Sequence, residues 1–180
     1  MATNFTSFTI PLIRDNNVRP LAMLPATAFL SDDIRKNTNE DVLHNLSEHR
    51  MPVLIDTGAI IPIWTSNISQ LVKFGATFYK SNVPFSGFGG TAYGDAYNLP
   101  DLYIGKLHFK DIKIVANSSL GNVPFYMIIS ATMFRSLAYE IDMIDYNLNI
   151  RMKNSDNFER KLLVYSKSKD SYENLSLYLE

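Results

Sequence analysis

Short apolar runs separated by turn-forming residues dominate the chain from Met51 onward: "VLID", "ATFYKS", "TAYGDAYNL", "LYIGKLHFKDIKIVAN" and "VPFYMII". Runs of this length, rich in β-branched and aromatic residues, predict strands, and their close spacing predicts a small barrel or sandwich. In "LYIGKLHFK", Leu107 and Phe109 alternate with His108 and Lys110, the pattern of a strand with one wet face, and Gly105-Lys106 reads as a two-residue hairpin turn. In "SATMFRSLAYE", Ser130 is a candidate N-cap, and Met133, Phe134 and Leu137 fall on one helical face, so the pattern predicts one short helix. "EIDMIDYNLNIRMK" predicts two strands around a turn at Asp145 to Asn147, where Asp and Asn supply local hydrogen bonds. The stretch "QLVKFGATFYKSNVPFS" reads as turn and strand material.

The two ends differ from this pattern. Residues 1–50 form a preamble with strand composition in "FTSFTIPLI" and a polar stretch, "SDDIRKNTNEDVLHNLSEH". The latter predicts a helix capped by Ser31, with Ile34, Val42, Leu43 and Leu46 as its few apolar positions. Residues 154–180 carry charge clusters around the apolar segment "LLVY". The chain thus divides into an N-terminal extension (1–50), a β-rich domain (51–153) and a C-terminal tail (154–180), with no internal repeat.

Composition narrows the function. With 180 residues, 46% of them hydrophobic and 19% charged, the chain can bury a core of one-domain size. The formal net charge is -1 and no run of Lys or Arg occurs, so nucleic acid is not an expected partner. The absence of Cys removes disulfides, thiolate catalysis and Cys-based zinc sites. No stretch approaches about 18 apolar residues, and the N-terminus lacks signal-peptide character, which sets the expectation of a cytoplasmic chain with no membrane partner. Its opening Met sets the expectation of a free-standing gene product. His44, His49 and His108 lack zinc-like spacing, Asp142 and Asp145 fit turn chemistry, and Trp64 reads as core or interface.

One feature resists a purely structural reading. "MPVLIDTGAIIPIW" places Asp56 inside an apolar run, where even a polar group without a hydrogen bond costs on the order of 2 to 7 kcal/mol. Further on, half of the eight glycines fall within "GFGGTAYG", marking backbone that must bend or come close to something. "GFGGTA" also fits a G-x-G-x-x-A dinucleotide pattern, but Tyr93, Gly94, Asp95 and then Pro100 follow instead of a helix, which argues against it.

Taken in order, these residues resemble the retropepsins, the single-domain aspartic proteases of retroviral type. Asp56-Thr57-Gly58-Ala59 is similar to that family's catalytic turn, "PFSGFGGTAY" to its flap, "VPFYMIISATMFRSLAYEIDM" to its last apolar strand and short helix, and "MIDYNLNIRM" to its closing hairpin. The resemblance covers roughly Met51 to Lys153. It implies an all-β fold: a closed, mostly antiparallel acid-protease barrel with one short C-terminal helix, flanked by the two extensions. One position departs, since "MIIS" puts Ser130 where the family's strand ends in Gly.

The resemblance also implies a chemistry. Asp56 would be the catalytic carboxylate, supported by Thr57, Gly58 and Ala59. Phe85, Gly87, Phe88, Gly89 and Gly90 of the flap would cover an extended peptide, and Ile129 would shape a side-chain pocket. Only one Asp stands in Asp-Thr/Ser-Gly context, so the second carboxylate would come from another copy in a homodimer. Neither a metal nor an organic cofactor is expected. The open alternative is a retropepsin-like dimer that binds peptides or assembles partners without cutting them.

Overall fold

The computed structural model describes residues 5–87, 90–117, 122–135, 137–153, 159–160, 163–166 and 171–174. Its strands are β1 (Phe5–Ile13), β2 (Leu21–Pro25), β3 (Arg50–Asp56), β4 (Ile63–Trp64), β5 (Thr77–Gly87), β6 (Gly90–Ile104), β7 (Leu107–Ala116), β8 (Met127–Ser130), β9 (Ala138–Asp142), β10 (Asn147–Lys153) and β11 (Glu159–Arg160). They form one sheet in the order β5-β6-β7-β4-β8-β3-β2-β1-β10-β9, with β11 on β7. Most ladders are antiparallel, while β3–β8, β4–β7 and β11–β7 are parallel. A separate two-stranded ladder joins β12 (Leu163–Ser166) to β13 (Ser171–Asn174).

The expected β-rich fold is present, but the expected closed barrel is not: β5 and β9 end the path without pairing to each other. Period-two alternation is common to open and closed sheets. Closure depends on strand tilt and register stagger, which no local pattern encodes.

Two strands from residues 5–50 belong to the same sheet, because β1 pairs with β10 and β2 with β3. The helix expected behind Ser31 is split into α1 (Asp32–Lys36) and α2 (Glu40–Glu48). Ser31 Oγ accepts from the Ile34 N–H and Asn39 Oδ1 from the Asp41 N–H, so each piece has its own cap. A further helix, α3 (Ile68–Lys73), occupies part of the stretch read as turn and strand. Asn67 caps it by accepting from the Ser69 N–H at 2.8 Å, and Leu71 anchors it in the core. Among the described residues no helix is long and apolar enough to cross a membrane.

The short helix expected after Ser130 is a single 3-10 turn, Ala131–Phe134, and the residues beyond it form β9. Met133 and Phe134 are buried as the helical pattern requires. Tyr139, however, pairs with Ile150 and Ile141 with Leu148, so cross-strand pairing on β10 takes the segment away from helix. The Gly105-Lys106 hairpin forms as read: Ile104 pairs with Leu107, and Gly105 sits at φ +58 with no room for a Cβ beside the Phe8 ring. The last turn also forms, but at 143–146 rather than at Asp145 to Asn147, because Asp142 Oδ1 accepts from the N–H groups of Ile144 and Asp145 and Asn147 already belongs to β10.

The core gathers around Trp64, which is fully buried. Its ring meets Phe29 edge-on at 5.8 Å and Phe74 at 6.2 Å, and its Nε1–H donates to the Asn67 carbonyl at 3.1 Å. Both the aromatic payload and the polar handle are thereby satisfied. On β3, Met51, Val53 and Ile55 point into this core, while Pro52, Leu54 and Asp56 lie on the half-buried face.

Gly94, within the glycine cluster, marks a close approach. A Cβ there would stand 2.5 Å from the Ala116 carbonyl oxygen, which is backbone and cannot move aside cheaply. Gly94→Ala should therefore lower unfolding stability by about 1–3 kcal/mol, as overpacked sites do. Urea denaturation of the variant beside wild type measures this, and an unchanged midpoint would contradict it.

Candidate active site

Asp56 is the last residue of β3 and pairs in register with Ser130 of β8. Alternation keeps it off the buried face, which resolves the cost its sequence context suggested: its side chain is only half-buried. The chain turns at once, with the Gly58 N–H donating to Asp56 Oδ1 at 2.8 Å and the Ala59 N–H to the Asp56 carbonyl at 3.3 Å. A carboxylate accepting a backbone donor two residues on is an Asx-type turn, and it aims the side chain without leaving it uncompensated. A Cβ on Gly58 would lie 3.3 Å from Oδ1, so the glycine also makes room for the carboxylate.

Thr57 and Gly58 are exposed and Ala59 is half-buried. Ile60 is 62% exposed, a large apolar side chain in water beside the carboxylate. The Asp56 turn therefore lies at the surface of the single chain with apolar area next to it.

The glycine-tipped hairpin is present as β5 and β6, paired from Val83↔Gly94 to Gly87↔Gly90. Phe85 is half-buried against the core, and Gly90 has φ +104 with open space where a Cβ would be. Phe88 and Gly89, read as flap residues, lie outside the described residues. Ile129, read as a pocket residue, is fully buried and pairs with Ile55 inside the core. The structure thus brings Asp56, Thr57, Gly58 and Ala59 together in one turn and puts Ile129 directly behind it, in the interior.

Two further residues reach this turn. Ser130, fully buried, donates its hydroxyl to the Ala59 carbonyl at 2.7 Å, and Thr132 Oγ1 donates to the Ile60 carbonyl at 2.8 Å. Thr132's contact with the turn had no signal in the sequence, whereas Ser130 stood where the family's Gly packs closely against the catalytic turn and registered as an N-cap and a departure rather than as a hydrogen-bond donor to it. The cap itself forms, with Ser130 Oγ accepting from the Thr132 N–H at 3.2 Å.

A second polar cluster lies on another part of the fold. Asp101 Oδ1 is 2.7 Å from His108 Nε2, Asp101 Oδ2 accepts from the Asp32 N–H at 2.9 Å, and the Tyr103 hydroxyl donates to Asp32 Oδ1 at 2.8 Å. Tyr103 stacks on His108 at 4.1 Å, with the Arg35 guanidinium 4.9 Å from the Tyr103 ring centroid. Ligand atoms of Asp32, Asp101 and His108 fall within 4.8 Å of one another, a set that could hold a divalent cation, although these groups already satisfy one another by hydrogen bonds. The face of β6 and β7 expected to be wet is thus covered by α1. The two-residue turn at Gly105-Lys106 sets the register that puts Asp101, Tyr103 and His108 on one face, whereas the approach of Asp32 has no sequence signal.

No family model matches the chain, and no curated protein matches it. Among solved structures it is similar to a retropepsin-like aspartic protease from Rickettsia conorii, at 18% identity over 80% of this chain and 98% of that one, with a TM-score of 0.45.

Burial, and then the hydrogen bond to Asp32, push the Tyr103 hydroxyl from its ordinary 10.0 up to about 12. The folded chain therefore holds this proton more tightly than the unfolded chain does. The resulting stability is complete below about pH 10 and is lost as pH rises toward 12. Tyr103→Phe should flatten this alkaline decline, measured as the urea midpoint against pH. A decline of equal steepness in the variant would contradict the assignment.

Proposed function

We propose that the chain is an aspartic endopeptidase that works as a homodimer, with Asp56 of each copy forming one catalytic pair. The observation that carries this reading is the Asp56 turn itself: a carboxylate at the end of a buried strand, held by the Gly58 N–H and lying beside exposed Thr57, Gly58 and Ile60. The ordered resemblance from Met51 to Lys153 supports it.

Peptide hydrolysis by carboxylates needs a base to take a proton from water and an acid to supply one. Two carboxylates about 3 Å apart cannot both ionise, so the pair shares a proton and provides both groups at once. The ionised Asp56 removes a proton from the water as its oxygen attacks the scissile carbonyl carbon, while the protonated Asp56 gives its proton to the carbonyl oxygen. As the resulting diol collapses, the carboxyl that took the water proton gives it to the leaving amine, the other carboxylate takes back a proton from a diol hydroxyl, and the C–N bond breaks. Thr57 would hydrogen-bond across the dimer axis beneath the pair. The β5–β6 hairpin, with Phe85, Gly87, Phe88, Gly89 and Gly90, would lie along an extended peptide and exchange main-chain hydrogen bonds with it. Neither a metal nor an organic cofactor enters these steps.

Asp56→Asn removes the shared proton and the base while keeping the shape of the turn. Cleavage of a mixed peptide pool at mildly acidic pH should fall by at least about 10²- to 10⁴-fold, the contribution of acid-base catalysis, with the dimer intact by sedimentation. Undiminished cleavage by the variant would overturn the reading. A wild-type dimer that binds the peptides without cutting them would replace it with the binding-module alternative.

A further inference from the structure

Resting on the reading of Asp56 as the catalytic carboxylate, we propose that Ser130 and Thr132 are positioning residues that clamp the Asp56 turn through two consecutive carbonyls. Among the described residues, the bonds that positions 57–60 make for themselves are the Gly58 N–H to Asp56 Oδ1 and the Ala59 N–H to the Asp56 carbonyl, and both run back to the strand the turn leaves. Thr57, Gly58 and Ile60 are exposed, so packing does not fix them.

The clamp reaches the turn from the neighbouring strand. Ser130 is level with Asp56 in the parallel ladder, and the 3-10 turn that starts there carries Thr132 back toward the same loop. The two hydroxyls meet the carbonyls of Ala59 and Ile60 at 2.7 and 2.8 Å. They also lie 2.6 Å from each other. Two protons thus serve three short oxygen contacts, so one of the two hydroxyls shares its proton between a turn carbonyl and the other hydroxyl. Ser130 is fully buried, so its bond to Ala59 is approached from the interior, and breaking it takes a partner from the carbonyl of a half-buried residue.

The Ser at this position is therefore more than an N-cap. A glycine would keep the ladder and the backbone but lose the bond to Ala59 and the partner of the Thr132 hydroxyl. A carboxylate that must meet its symmetry mate at hydrogen-bond distance tolerates little drift. A misplacement of about 1 Å can cost on the order of 10²-fold in rate. The effect belongs in kcat, because both hydroxyls are directed to carbonyls of the turn.

The test uses the full-length chain and four variants: Ser130→Ala, Ser130→Gly, Thr132→Val and Thr132→Ser. Thr132→Val is nearly isosteric and only half-buried, so it remains informative even where a Ser130 variant folds poorly. Ser130→Ala, Ser130→Gly and Thr132→Val should lower kcat by about 10- to 10²-fold with KM within about twofold, and Thr132→Ser should restore wild-type kcat. Independently of activity, amide exchange at Ala59, whose N–H bonds the Asp56 carbonyl, should quicken by about three- to tenfold in the same three variants as the turn loosens. Ile55 and Ile129 should stay protected as in wild type. Wild-type kcat and wild-type exchange in Ser130→Gly and Thr132→Val would overturn the clamp. An inactive wild type would overturn the proteolytic reading, and the exchange measurement would still decide whether the clamp exists.

Discussion

The parallel ladder between β3 and β8 is the constraint on which the candidate site depends. Val53, Ile55, Met127 and Ile129 are all buried along it, at 2% exposure or less. A slip of one residue in β3 would turn Ile55 outward and drive Asp56 into the core, exchanging a favourable burial for a charge in an apolar interior. The hydrophobic pattern of the strand therefore fixes where the carboxylate emerges. Parallel pairing also sets Ser130 beside Asp56 at the end of the ladder, where the chain can turn on both strands and the two turns can bond to each other.

That arrangement changes the meaning of the apolar run around Asp56. Read linearly, it is a carboxylate stranded among Leu54, Ile55, Ile60 and Ile61. In three dimensions the run belongs to three environments: Ile55 in the core, Asp56 at the half-buried strand end, and Ile60 in solvent. Ile60 and the Thr57-Gly58 backbone are exposed beside the carboxylate. In the proposed homodimer, a two-fold axis through Asp56 would bring Ile60 of each chain near the site.

The features legible in the sequence were those governed by short-range chemistry. Ser31 caps a helix, Gly105-Lys106 turns a hairpin, and a turn stabilised by an Asp side chain forms next to the expected one, each through contacts within a few residues. What failed depended on distant partners. The 138–142 segment leaves its helical pattern because β10 offers cross-strand pairing, and the sheet stays open because closure is a property of register over the whole molecule. The α3 helix had a usable signal in Asn67 followed by Gly75, obscured by the β-branched and aromatic residues around it. At the site, Asp56 to Ala59 were readable because the turn is local, whereas the hydroxyls of Ser130 and Thr132 act across 71 and 72 residues and leave no spacing pattern. Ile129, taken for a pocket residue, is interior because its strand alternation matches that of Ile55.

The proposed active site contains Asp56 from two chains. Co-refolding wild-type chains with increasing amounts of Asp56→Asn chains and measuring peptide cleavage tests it most directly. If two carboxylates from two copies are needed, mixed dimers are silent, and an equimolar mixture keeps about half the activity per wild-type chain, falling further as the variant is added. Activity that stays proportional to the amount of wild-type chain at every mixing ratio would contradict the account.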